Sequence, residues 1–295
     1  MSRARRFPRE ARSILTRTGG YLSGYTHTLQ PYVGCEFSCV YCYVREMTVQ
    51  RANPYRLPWS EWISPKTNAP VLLRRAAERG SLAGARIFCS STTDPYVPLE
   101  RKLELTRGCL EVFVETPPAL LVVQTRSPLV ERDAELLAAI PSCWASLTVT
   151  TLDERVRRTF EPDSPSTARR LATLVALRRA GVRVQAAVSP LLPGDTRALA
   201  EALEPRVDRV VVDDCFSGDG AGGRRSRAAI RELETLGYAA WAQPGQAEAA
   251  LEIFRAVFGS ERVGFSREGF AALATRVHRP VKPSAVARSG GSDPR

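Results

Sequence analysis

The sequence predicts an α/β fold, a partial TIM-type parallel (β/α)6 barrel with a short C-terminal helical extension. Three observations carry this expectation. Six apolar, strand-like runs alternate with helical runs, the pattern of a parallel sheet joined by crossover helices. Six units are fewer than the eight that close a barrel. Residues able to do chemistry cluster directly after those runs, at the strand ends where barrels carry their functional groups. A length of 295 residues suits one such barrel with a single large core.

The first strand is expected over residues 26–33, leading into a cysteine-rich loop. Residues 51–70 read as loop, punctuated by Pro54, Pro58, Pro65 and Pro70. Trp59 and Trp62 lie there, either to pack the loop onto the barrel or to stack on a substrate. A helix over 71–79 precedes a strand over 86–90, and a helix over 103–115 precedes a strand over 120–124. Pro128 suits the first turn of a helix running to residue 139, before a strand over 143–150. Ser166 or Thr167 caps a helix that reaches residue 180, and Gly181 stops it. A strand over 182–188, a helix over 196–203, a strand over 207–212 and a helix over 227–236 complete the series. One more helix is expected over 247–258. The implied organisation is a basic N-terminal tail over 1–20, the barrel over 21–240, an extension over 241–274 and a disordered tail over 275–295.

The chain has no run of 18 apolar residues, so no membrane span is expected. The basic N-terminus lacks the apolar stretch of a secretory signal. Seven cysteines, three of them in one loop, fit a reducing compartment better than a disulfide framework, which points to the cytoplasm. The net charge of +11 invites a nucleic-acid reading, but residues 1–17 hold +5 of it and residues 275–295 hold +4. Only +2 is left for the body of the chain, so charge alone defines no binding cleft there. Just three of the 42 basic residues are lysine, which fits a general bias toward arginine.

The most informative stretch runs from Gly34 to Tyr43 and places Cys35, Cys39 and Cys42 at the spacing C-x3-C-x2-C, with Tyr41 before the last cysteine. Thiolates hold iron–sulfur clusters, and three of them can hold three irons of a [4Fe–4S] cube, leaving the fourth iron open. A structural zinc site would need four ligands, usually in paired knuckles, and the nearest further cysteine is the distant Cys89. Three unrelated buried thiols are the other alternative, which so tight a spacing disfavours.

This spacing resembles the signature of the radical S-adenosylmethionine (SAM) superfamily. The resemblance implies a [4Fe–4S] cluster on Cys35, Cys39 and Cys42, SAM on its open iron, and reductive cleavage of SAM to a 5′-deoxyadenosyl radical. It also implies a reductant such as flavodoxin or ferredoxin. The motifs after the later strands then acquire candidate roles. Ser91, Thr93 and Asp94 offer acceptors for the amino group of SAM, and Arg126 a bidentate partner for its carboxylate. Thr148 can reach the ribose, and Ser189, in a rigid Pro-rich turn, can flank the adenine. The competing reading of each hydroxyl or acid is turn chemistry or helix capping.

A narrower resemblance is to spore photoproduct lyase and DNA repair photolyase-like proteins. It is carried by TLQPYVGCEFSCVYCYV (28–44), TDPYVPLE (93–100), LTR (105–107), TRSPLVERDAELL (125–137), FEPDSPSTARRL (160–171) and the GV…PLLPG stretch (181–194). By that resemblance Tyr41 and Tyr43 flank the cluster, and Cys89 is a candidate to return a hydrogen atom. The chain departs from the group in carrying Arg126 where lysine is common and Thr148 where serine is common, and Cys89 sits about two residues early. The alternative for Cys89 is a buried strand thiol acting as a small hydrophobe. The substrate stays open: a thymine lesion in DNA, a protein, a tRNA or a metabolite. A non-catalytic iron–sulfur electron-transfer module and a nucleic-acid-binding protein are the alternatives to an enzyme.

Overall fold

The computed structural model of the chain describes residues 4–276. Its strands, in chain order, are β1 (Arg5–Arg6), β2 (Leu15–Arg17), β3 (His27–Leu29), β4 (Tyr32–Gly34), β5 (Trp62–Pro65) and β6 (Arg86–Cys89). They continue as β7 (Leu120–Thr125), β8 (Cys143–Thr148), β9 (Arg183–Val188), β10 (Arg209–Val212) and β11 (Val263–Phe265). One eight-stranded sheet runs in the order β11-β10-β9-β8-β7-β6-β3-β2. Its strands are parallel from β3 through β11, and β2 adds an antiparallel edge on β3. β2 and β11 stay apart as two edges, so the barrel is open, as a partial barrel requires. A small second sheet, β1-β5-β4, stands beside the cysteine loop.

Period-two alternation sorts the side chains of the main sheet. Ile87 and Cys89 of β6, Leu121 and Val123 of β7, and Val184, Ala186 and Val188 of β9 face the helices and form the larger core. Phe88, Leu120, Val122, Ala187 and Val211 face the other way, onto Tyr25, Phe270 and Leu273 inside the barrel. Both faces of β7 are thus covered, which is why it reads as the continuous run Leu-Leu-Val-Val. Side-chain caps start three of the helices: Asp153, Ser166 and Asp195 accept backbone N–H groups at the heads of Glu154–Phe160, which the sequence outline lacks, Thr167–Arg179 and Thr196–Leu203.

The structure corrects the sequence-based outline at both ends. Within the expected tail over 1–20, the described residues from 4 onward are built into the fold: β1 pairs with β5 and β2 pairs with β3. These are two- and three-residue strands joined by backbone hydrogen bonds, with largely exposed side chains, so they leave no apolar pattern to read. The stretch over 26–33 is two strands in two different sheets, and the loop over 51–70 contains β5. The extension over 241–274 is not merely helical, because β11 pairs in parallel with β10 as a seventh parallel strand and the helix Ser266–Arg276 follows it. That helix lies close on β11 through two glycines: a Cβ on Gly264 would stand 2.7 Å from the Cα of Gly269. Beyond residue 276, the tail expected over 275–295 lies outside the described residues.

Gly34, which ends β4, fixes the entry to the cysteine loop. Its φ is +82°, and a Cβ there would meet the Trp62 carbonyl oxygen at 2.5 Å. Left-handed backbone and close approach both demand glycine. Gly34→Ala is expected to cost about 2 kcal/mol or more, read as a lower denaturant midpoint at unchanged slope.

Candidate active site at the cysteine loop

The strand ends of the main sheet open into a cavity of about 740 Å³ whose wall includes Cys35, Cys39 and Cys42. The loop that carries them is tied on several sides. Val40 N–H donates to the Phe160 carbonyl at 2.9 Å, Leu99 N–H to Glu36 Oε2 at 2.8 Å, and the Arg45 guanidinium to the Cys39 carbonyl at 3.1 and 3.2 Å. Ser60 Oγ donates to the Phe37 carbonyl at 3.2 Å, and the Thr93 hydroxyl to the Gly34 carbonyl.

The three cysteines are free thiols. Burial pushes all three up in pKa, Cys39 to about 11 even with Arg126 pulling the other way. Thiols this dry ionise only when a strong positive charge such as a metal centre takes the proton's place. Among the described residues no three His, Cys, Asp or Glu side chains converge on a single ion, so the mononuclear zinc reading finds no ligand set. A cube that gives each thiolate its own iron needs sulfurs spread further than one ion does, and three thiols facing one open cavity, Cys35 and Cys39 buried and Cys42 half-buried, fit it.

Behind the loop lies a buried ionic knot. Tyr41 OH and Arg170 Nη2 both donate to Glu161, as does Arg126 Nη1 at 3.2 Å and Thr150 Oγ1 at 3.0 Å. Arg126 Nη1 also reaches Tyr41 OH at 2.6 Å, and its guanidinium lies 5.6 Å from the Tyr41 ring centre. Burial pushes the Glu161 carboxyl up, but Arg170 and Arg126 more than offset it and hold it at about 2. Arg170 is only 1% exposed.

The sequence-predicted residues mostly converge here. Tyr41, Tyr43, Ser91, Thr93, Asp94, Arg126, Thr148 and Ser189 all line the cavity with the three cysteines. Several are already engaged. Asp94 accepts from Tyr96 N at 2.8 Å, Thr125 Oγ1 at 2.6 Å and Arg126 N at 2.9 Å, which is turn chemistry that holds the strand ends together. Tyr43 OH donates to the Ser91 carbonyl, and Thr148 Oγ1 accepts from Gln124 Nε2 at 2.9 Å. Cys89 is not brought to the cavity. It is 3% exposed and packs in the outer core with Cys109 and Leu110, as its alternative reading as a small hydrophobe expects.

Sequence reading passed over other residues of the wall. Glu161 and Arg170 stood in a quoted motif without a role, and only the fold joins them. Trp59 was noted as an aromatic and forms part of the wall beside Cys42. The wall also holds Tyr21, Arg225 and Arg267, together with Asp214 and Cys215 of the Asp-Asp-Cys stretch that follows the sixth expected strand. Asp213, just behind, accepts from Tyr21 OH, and burial pushes its carboxyl up to about 7.

A family model for the radical SAM superfamily matches residues 29–204, more than half of the chain. The chain belongs to the radical SAM superfamily. An uncharacterized protein of Methanocaldococcus jannaschii is 31% identical over 173 residues, 58% of this chain and 62% of that protein. An uncharacterized protein of Mycobacterium tuberculosis is 28% identical over 174 residues, 57% of this chain and 50% of that one. The chain thus spans less than two thirds of these relatives' length. A radical SAM Nα-GlyT isomerase of Pseudomonas phage M6 is 28% identical over 180 residues, 59% of this chain and 36% of the isomerase. Among solved structures, spore photoproduct lyase shares the fold, with a TM-score of 0.61 at 14% identity over 90% of this chain and 82% of that one. The radical SAM fold seen there is the same open, mostly parallel barrel.

Glu161→Gln would leave the buried Arg170 and the half-buried Arg126 short of their counter-charge and is expected to cost about 3–5 kcal/mol by denaturant unfolding. The pH dependence has a definite sign. A carboxyl held below its ordinary value of 4.5 contributes stability fully above about pH 4.5, and that contribution is lost as pH falls through about 2. Between those values the variant is therefore expected to lose less stability than the native chain on acidification.

Proposed function

We propose that the protein is an enzyme that binds a [4Fe–4S] cluster through Cys35, Cys39 and Cys42 and reductively cleaves SAM. The observation that carries this reading is the convergence of the three cysteines and the candidate SAM-binding side chains on one cavity. When bound, the cluster supplies one electron to the sulfonium of SAM, which breaks into methionine and a 5′-deoxyadenosyl radical. The residues of the chain position and shield. Arg126, fixed by Tyr41 and Glu161, presents its remaining N–H groups to the SAM carboxylate. Thr148 and Ser189 face the ribose and adenine, and Tyr43 closes the wall between the loop and Ser91. Asp94 acts through Arg126, whose backbone N–H it holds. A flavodoxin- or ferredoxin-like protein is the expected electron donor, and the cytoplasm the expected compartment.

For the substrate we infer a modified nucleoside, in DNA or free. One similarity supports that class: a spore photoproduct lyase complexed with a dinucleoside spore photoproduct, which shares the fold at a TM-score of 0.59. A base acted on in this cavity would have to leave the stack to reach it. Arg225 and Arg267 in the cavity wall are the cations suited to its phosphates.

The test is anaerobic cluster reconstitution with SAM and dithionite, followed by measurement of 5′-deoxyadenosine. The native chain is expected to bind four irons per chain, the count of the cube, and to release 5′-deoxyadenosine. Cys35→Ala, Cys39→Ala and Cys42→Ala are each expected to abolish release, and full release by any of them would refute the ligand assignment. Adding oligonucleotides with and without a thymine lesion reads the substrate class, through lesion-dependent consumption of SAM.

A further inference from the structure

Trp59 sits in the cavity wall with Cys42 and is 4% exposed, yet its indole Nε1 has no hydrogen-bond partner. An indole N–H can only donate, and a buried donor left unpaired is costly. Its orientation is fixed from behind. Trp59 packs edge-to-face on Trp62, with ring centres 6.0 Å apart and planes at 87°. Trp62 is itself held, donating its own N–H to Gln50 Oε1 at 2.9 Å. The next residue, Ser60, takes a left-handed φ of +79° and ties the segment to the cysteine loop through the Phe37 carbonyl. A strained backbone, a locked ring and a loop tether together hold an unsatisfied donor beside a thiol. Trp59 belongs to the apolar cluster against which Cys42 packs, so the donor and the thiol share one wall.

We infer that Trp59 is a positioning residue for the iron–sulfur cluster: its indole N–H donates to the Cys42 thiolate or to the cluster sulfide beside it. The inference rests on the cluster reading proposed above. Hydrogen bonds to cluster sulfurs are among the groups that set reduction potential. Reduction adds one electron and makes the sulfurs more negative, so a donor stabilises the reduced form more than the oxidised one. Trp59 therefore raises the potential and eases the entry of the electron from the reductant. No covalent bond changes in this step.

The test uses the full chain, reconstituted anaerobically, with iron and sulfide content measured first. Absence of a cluster from the native protein would overturn the cluster reading and this inference with it. With a cluster present, Trp59→Phe keeps the ring and removes the N–H. It is expected to make reduction about tenfold less favourable, which for a one-electron couple is about 59 mV toward the negative, at unchanged iron content. Trp62→Phe, whose N–H is already used by Gln50, is expected to shift the potential less. Equal potentials in native and Trp59→Phe proteins would overturn the inference while leaving the cluster reading intact. Should Trp59→Phe fail to assemble, the native protein decides. With indole-15N tryptophan, nitrogen hyperfine coupling to the reduced cluster supports the hydrogen bond, and its absence refutes it.

Discussion

The site depends on one buried carboxylate. Glu161 gathers Tyr41 from the cysteine loop, Arg126 from the turn after β7, and Arg170 and Thr150 from the unit after β8. Three separate parts of the barrel are thereby held against each other at its functional end. Two guanidinium groups against one carboxylate leave one unit of positive charge at the wall beside Cys39. That residual charge suits both a thiolate-bound cluster and the carboxylate of SAM. A buried ion pair is weak support for stability in itself, because desolvation offsets much of its attraction. Its value here is geometric: an arginine that would otherwise be mobile is held in one place before any ligand arrives.

Asp94 illustrates how supporting residues differ from contacting ones. Sequence reading offered it to the amino group of SAM. In the fold its oxygens accept three N–H or O–H groups from Tyr96, Thr125 and Arg126. It thus fixes the backbone from which the Arg126 side chain projects. The Thr93 hydroxyl is likewise taken up by the Gly34 carbonyl, so the segment after β6 clamps the entry to the cysteine loop. These residues lie where contact residues should lie and act through the residues they hold.

Much of the fold was legible. The strands from β6 to β10 and most of the helices between them, though not Glu154–Phe160, announce themselves by continuous apolar runs, caps and a stop glycine. β1, β2 and β11 did not, because short strands gain their place by backbone pairing and carry little side-chain signal. The grouping of Cys35, Cys39 and Cys42 on one wall was legible because their spacing is local. The Glu161–Arg170 pair was not: Glu161 ends one helix and Arg170 lies inside the next, and only the fold of the loop between them brings the two together. Trp59 was visible as an aromatic in a Pro-rich loop, but its unpaired N–H is a property of the assembled wall.

Cys89 shows what strand position leaves undecided. It stands at the functional end of β6, which made it a candidate for chemistry. Parity along the strand then assigns its face. Phe88 points into the barrel, so Ile87 and Cys89 point toward the helices. A slip of one residue would exchange them. The register forbids the slip, because β6 is pinned on one side by His27 against Ile87 and on the other by Cys89 against Val123. The thiol is therefore committed to the outer core with Cys109, and the thiol that does share the cavity with the three loop cysteines is Cys215, on the turn after β10. In a parallel barrel the end of the strand selects which residues are near the chemistry, and parity selects which of those can touch it.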